Sequence, residues 1–225
     1  MNIEFPQLPA MYSSEDHIFM RRAFAFAKKA HEGQNRRSGQ PYFIHPAEVA
    51  AHLISLRAKP EVVAAGFLHD VLEDTPVAFQ EIGDQFGFEV AKIVNALTKS
   101  ENYRFHGSME ERKRREEHHR FLDTIKDIRS AIVKLCDRHN NMRTIQFLSP
   151  ERQEFNAAET IKLYVPLARQ IGLYDMEREL EQLSLSVLSK EMYEQSLKLS
   201  EKYEKEIEEK GYHQNKLHLC MIESI

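Results

Sequence analysis

Apolar residues return at helical spacing along almost the whole of this 225-residue chain, and no segment alternates convincingly as a strand would. Phe19, Ala23, Phe26, Ala27 and Ala30 form one stripe, and Ser13 with Asp16 ahead of it has the spacing of a capping box. Pro46 suits the first turn of a second helix carrying Val49, Ala50, Leu53 and Ile54. Pro60 opens a third, with Val63, Phe67 and Val71 on one face, and Thr75-Pro76 ends it, because the residue before a proline avoids helical angles. A fourth helix ends near Gly87, and a fifth carries Val90, Ile93, Val94 and Leu97. Periodicity returns from Ile128 to Ile145 and again from about Glu151 to Gln170, with Gly172 as a stop. A helical pair then runs from about Tyr174 to Lys210. The pattern predicts an all-α fold: one domain over residues 1–190 and a helical tail over 191–225 that is compatible with belonging to the same domain.

Composition narrows the function. With 31 Lys+Arg against 35 Asp+Glu, the net charge of −4 argues against nonspecific nucleic-acid binding, which needs a basic surface. No run approaches the ~18 consecutive apolar residues of a membrane-spanning helix, so no membrane partner is expected. Met1 to Ala10 lacks the layout of an export signal, and Cys136 and Cys220 lack metal or redox spacing. The expectation is a reduced, cytoplasmic setting.

Four residues stand out as candidate metal ligands: His45, the adjacent pair His69-Asp70, and Asp137. Each falls in or beside a predicted helix, and helices hold ligands rigidly in a bundle core. Two imidazoles and two carboxylates make a mixed nitrogen and oxygen set, which suits Mn²⁺, Fe²⁺ or Zn²⁺ better than Ca²⁺. Glu73 lies four residues after His69, and Asp74 four after Asp70, so two acids stand one turn beyond two ligands. Such acids could orient a water or move its proton. Asp137, Asn141 and Thr144 share one helix face, with Lys134 one turn before them. The segment from Asn35 to Pro46 sets Arg36, Arg37 and Ser38 ahead of His45, and paired guanidiniums clamp phosphate. Plainer readings stay open: a His-Asp pair is more often structural, Glu73 and Asp74 fit a solvated helix end, and the run from Arg112 to Glu117 fits a charged face.

Four ordered strings resemble one family. They are AHEGQNRRSGQPYFIHP (Ala30 to Pro46), GFLHDVLEDT (Gly66 to Thr75), KLCDRHNNMRT (Lys134 to Thr144) and ETIKLYVPLA (Glu159 to Ala168). Together they resemble the hydrolase domain of the RelA/SpoT homologues, a helical bundle of the HD superfamily. Members remove the 3′-pyrophosphate from the alarmones guanosine tetra- and pentaphosphate (ppGpp and pppGpp). The resemblance implies metal ligands at His45, His69, Asp70 and Asp137, usually holding Mn²⁺ though another divalent ion is compatible, and a catalytic pair at Glu73 and Asp74. It implies substrate contacts at Arg36, Arg37 and Ser38, which seat base and phosphate, at Asn141 and Thr144, and at Tyr164 beside the sugar. Lys134 is the expected source of further positive charge. Arg37 departs from the commoner lysine, and His139-Asn140 departs from a commoner Leu-His pair.

The implied partner is therefore a small nucleotide, and a homo-oligomer is compatible with it. The chain resembles a small stand-alone alarmone hydrolase, or else the N-terminal piece of a longer enzyme. Two alternatives are carried. One keeps the chemistry but acts on the NADPH 2′-phosphate or a pyrophosphorylated tRNA 3′ end, as the unusual segment from Ser100 to His119 suggests. The other is a non-catalytic nucleotide-binding regulatory domain.

Overall fold

A computed structural model describes residues 3–36, 38–98 and 126–210. Arg37, the charged segment 99–125 and residues 211–225 lie outside them, and so do the readings made on those positions. The described residues are helical and form no strand; the one β-type pairing is an isolated bridge between Asn35 and Pro41. The all-α expectation holds. None of these helices is long and apolar enough to cross a membrane.

Two compact units are present, and the boundary falls between Cys136 and Asp137, inside one unbroken helix. The first unit contains α1 (Ser14–Ala30), α2 (Ile44–Ser55), α3 (Pro60–Leu68), α4 (Val71–Asp74), α5 (Phe79–Phe86), α6 (Phe88–Leu97) and the start of α7 (Ile128–Arg143). The capping box is formed: Ser13 Oγ accepts from the Asp16 amide, and Asp16 accepts from the Ser13 amide. Helix α3 is the centre of this unit. Every residue from Val62 to Leu68 is buried, and the helix packs on α1, α2 and α6. Phe67, fully buried, meets Phe24 edge-on at 5.6 Å, and burial of such a side chain is worth roughly 1.5–3 kcal/mol.

Gly66 sets the spacing of α2 and α3. A Cβ there would stand 2.4 Å from Leu53 Cδ1 and 3.3 Å from the Ala50 Cα. Only a residue without a side chain lets the two helices approach this closely, and they carry His45 and lead into His69.

The structure departs from the sequence reading just after this point. The third helix is not continuous to Thr75; it stops at Leu68, turns through His69 and Asp70, and resumes as the short α4. The Glu73 and Asp74 amides both donate to the Asp70 carbonyl, at 3.2 and 2.9 Å, so Asp70 suspends the turn that carries the two acids.

Helix α7 is pinned at its start. The Arg129 amide donates to Asp127 Oδ1 at 2.9 Å, the bond of an N-cap residue. The Arg129 guanidinium also bonds Asp127 Oδ2 at 2.7 Å and reaches Glu89 of α6 at 3.0 Å. Hydrogen bonds from the Arg129 side chain hold the Asp127 carboxyl below its ordinary range. The folded value is depressed, so the stabilisation is complete above the unfolded value near ~3.9 and is lost as the pH falls through the folded one. Asp127→Ala is expected to cost about 1 kcal/mol at neutral pH. In urea titrations the gap from wild type should shrink on acidification below about pH 4; a constant gap would remove the ionic part of this account.

The second unit holds the rest of α7, a 3-10 turn (Ile145–Phe147), α8 (Pro150–Glu159), a π turn (Thr160–Tyr164), α9 (Val165–Gln170), α10 (Tyr174–Leu188) and α11 (Lys190–Lys210). Pro166 explains the π turn, since it has no N–H to close an ordinary α bond to Lys162. The wider turn instead closes through the Val165 amide to the Thr160 carbonyl.

Candidate metal centre and active site

The loop from His31 to Phe43 leads into α2 and delivers His45 as its second residue. It folds back on itself: the Arg36 amide donates to the Gln40 carbonyl at 2.8 Å, and the Tyr42 amide to the Gln34 carbonyl at 2.9 Å. Gly39, at φ +82, makes the reversal that an L side chain would resist. His45 is 4% exposed, and its amide donates to the Tyr42 carbonyl.

His69 stands at the turn after α3 and is equally buried. Its Nδ1 lies 2.8 Å from the Gly66 carbonyl, which can only accept. Nδ1 therefore carries the hydrogen, and Nε2 presents a lone pair inward. That lone pair faces His45 Nε2 at 3.3 Å and Asp70 Oδ1 at 3.2 Å, while Asp70 Oδ2 lies 3.7 Å from His45 Nε2. A carboxylate oxygen set against an imidazole lone pair is acceptor against acceptor, an arrangement that a cation between them relieves.

Asp137, on α7 at the first position of the second unit, is buried as well. Within the first unit the two imidazole nitrogens stand 3.3 Å apart. Donors about 2.1 Å from one ion stand up to roughly 4.2 Å apart, so that spacing suits a shared ion. The donor set fits a divalent metal by its chemistry as well as its spacing.

The remaining site residues are distributed as follows. Glu73 is half-buried and Asp74 exposed on α4. Arg36 and Ser38 are half-buried in the loop. Lys134 is half-buried on α7, one turn before Asp137. Asn141 donates through Nδ2 to Asp137 Oδ1 at 2.6 Å, so in this structure it orients a candidate ligand. Thr144 Oγ1 lies 3.3 Å from the Asn140 and Asn141 carbonyls at the end of α7. Tyr164 is 4% exposed at the end of the π turn. Its hydroxyl accepts from Arg138 Nη2 at 3.0 Å, and the Arg138 guanidinium carbon lies 4.1 Å from its ring centroid. Arg138 also pairs with Glu159 and reaches Asn156.

Tyr42 is the residue that sequence reasoning passed over. Its hydroxyl lies 2.8 Å from Asp70 Oδ2 and 2.7 Å from Asp74 Oδ2. Burial first, and then the charge of Asp70, push its pKa far above the ordinary phenol value, so it stays a neutral donor. The available signal was its place three residues before His45 in the PYFIHP string.

A bundle of short helices that sets a His-Asp pair against an earlier buried histidine defines a helical fold of the HD class. Residues 23–174 match the HD domain family, and the chain belongs to it. It is 42% identical over 177 residues to a Synechocystis protein named "Probable guanosine-3′,5′-bis(diphosphate) 3′-pyrophosphohydrolase", covering 79% of this chain and 23% of that one. It is 38% identical over 190 residues to the Escherichia coli K12 "Bifunctional (p)ppGpp synthase/hydrolase SpoT", covering 83% and 27%. The chain thus spans about a quarter of the length of these curated relatives. Among solved structures, a protein described as a metazoan ortholog of SpoT that hydrolyzes ppGpp shares the fold, with a TM-score of 0.54 at 24% identity, covering 82% of this chain and 99% of that one.

Proposed function

We propose that this chain catalyses metal-dependent hydrolysis of the 3′-pyrophosphate of ppGpp and pppGpp. Water adds to the phosphorus attached to the ribose 3′ oxygen, the bond between that oxygen and phosphorus breaks, and the products are GDP or GTP and pyrophosphate. The observation that carries this reading is the convergence of His45, His69 and Asp70, with Glu73 and Asp74 suspended from Asp70 itself. The names of the relatives support the substrate class.

His45, His69, Asp70 and Asp137 would hold the ion, which we assign as Mn²⁺ on the family resemblance, a choice the mixed donor set is compatible with. When bound, a divalent ion supplies Lewis acidity toward water and phosphoryl oxygen. Glu73 and Asp74 orient the attacking water and accept its proton. Protonation of the departing 3′ oxygen is the reverse task, and the same acids would return the proton. Arg36, Arg37 and Ser38 seat the base and the phosphates, and an Arg fork grips phosphate by two parallel bonds. Lys134, Thr144 and Tyr164 stand as further substrate contacts, and Asn141 as a contact that also orients Asp137.

Purified protein with Mn²⁺ and ppGpp should release pyrophosphate and GDP in equal amounts, and a chelator should stop the reaction. Nucleotide binding with no turnover in the presence of metal would overturn the enzymatic reading. Turnover of NADPH or of pyrophosphorylated tRNA at the same rate as ppGpp would overturn the substrate assignment alone.

A further inference from the structure

We propose that Tyr42 is a positioning residue that locks the candidate metal ligand Asp70 to the acid Asp74, and that Gln34 and His31 brace it from the loop bearing Arg36. The inference rests on the hydrolase reading of the site. Its first support is that one hydroxyl meets both carboxylates, at 2.8 and 2.7 Å. The two acids belong to different functions, one toward the metal and one toward water. The phenol carries one hydrogen, which it divides between the two acceptors, and a three-centre bond of this kind draws both carboxylates to one point, as backbone geometry alone does not, because both side chains have rotamer freedom.

The second support is a polar chain behind the tyrosine. Gln34 Nε2 donates to the Asp74 carbonyl at 2.7 Å. That bond decides which end of the Gln34 amide is oxygen, so Oε1 faces His31 Nδ1, 2.8 Å away. His31 Nδ1 therefore carries the hydrogen and donates it. The His31 ring is 2% exposed and stacks on Tyr42 at 4.9 Å between centroids, with 27° between planes. Among the described residues its buried Nε2 meets no hydrogen-bond partner. His31 serves here as a flat wall that holds the Tyr42 ring, while its other nitrogen fixes Gln34.

The loop and the acids are thus tied at two points: Gln34 to the Asp74 backbone, and Tyr42 to the Asp74 and Asp70 side chains. A nucleotide seated by Arg36 and Ser38 meets acids that are already held in place by the loop that seats it. The two ties separate by experiment, since Tyr42 touches a ligand and Gln34 does not.

Tyr42→Phe keeps the stack on His31 and removes only the hydroxyl. Calorimetric titration with Mn²⁺ is expected to show affinity about 10–100-fold below wild type, the range for loss of a partner behind a ligand. With saturating Mn²⁺, kcat for ppGpp should fall about 10-fold or more while KM stays within about 2-fold, the signature of an interaction used in the transition state. Gln34→Leu should lower kcat several-fold and leave Mn²⁺ affinity at the wild-type value. Wild-type Mn²⁺ affinity in Tyr42→Phe would overturn the Asp70 tie, whatever the activity. If the wild-type protein turns over no ppGpp, the hydrolase reading fails and the titration still decides that tie. If Tyr42→Phe does not unfold cooperatively, Gln34→Leu decides: unchanged kcat there overturns the coupling.

Discussion

Asp70→Ala is expected to empty the proposed centre and to abolish hydrolysis. Asp70 sets one oxygen toward each imidazole, at 3.2 and 3.7 Å, and supplies negative charge where two neutral rings supply none. Without it the proposed set of four falls to three, short of both a donor and a charge. Lewis-acid assistance is worth several kcal/mol of transition-state stabilisation, and each 1.36 kcal/mol is tenfold in rate. A loss of about 10³-fold or more in kcat follows, with Mn²⁺ binding undetectable by calorimetry. The fold should survive, because α4 hangs on the Asp70 carbonyl rather than its carboxylate. Unaltered circular dichroism beside lost pyrophosphate release is the expected pair of results. Full activity in this variant would rule out a metal mechanism through these residues.

The second large effect belongs to the acids. Glu73→Gln combined with Asp74→Asn should lower kcat by roughly 10²–10⁴-fold, the usual contribution of general acid–base groups. Metal affinity should stay near wild type, because neither acid is among the proposed ligands. The two single variants are not expected to sum, since groups that share one proton path act as a unit. Measuring kcat and Mn²⁺ affinity on the same preparation separates this outcome from that of Asp70→Ala. A double variant with kcat within a few-fold of wild type would remove Glu73 and Asp74 from the mechanism.

How far the sequence could be read depends on which force sets each feature. The helices are legible because burial imposes a period: the stripe on α1, the run from Pro60, and the segments after Ile128 all emerge close to where spacing puts them. The stop at Gly87 is legible for a local reason, since that residue sits at φ +88 between α5 and α6. His69-Asp70 is legible as chemistry but not as geometry. Periodicity carries the helix through to Thr75, whereas the chain breaks at the pair so that both side chains turn toward His45. Tyr42 was invisible because its role is tertiary: its partners lie 28 and 32 residues away, and no spacing rule links a loop tyrosine to them. Tyr164 shows the converse. Its string stands out in the sequence, and in the structure its hydroxyl is taken up by Arg138, the residue beside Asp137.

The π turn from Thr160 to Tyr164 has one more consequence. Closing a loop of the spiral five residues on, instead of four, adds one residue to the winding and rotates everything downstream by about 100°. Val165, Leu167 and Ala168, just past the turn, are buried with that rotation in place. The stretch is therefore phase-locked: shortening it by a single position would swing its oily side outward, while substitutions that preserve the count leave the orientation intact.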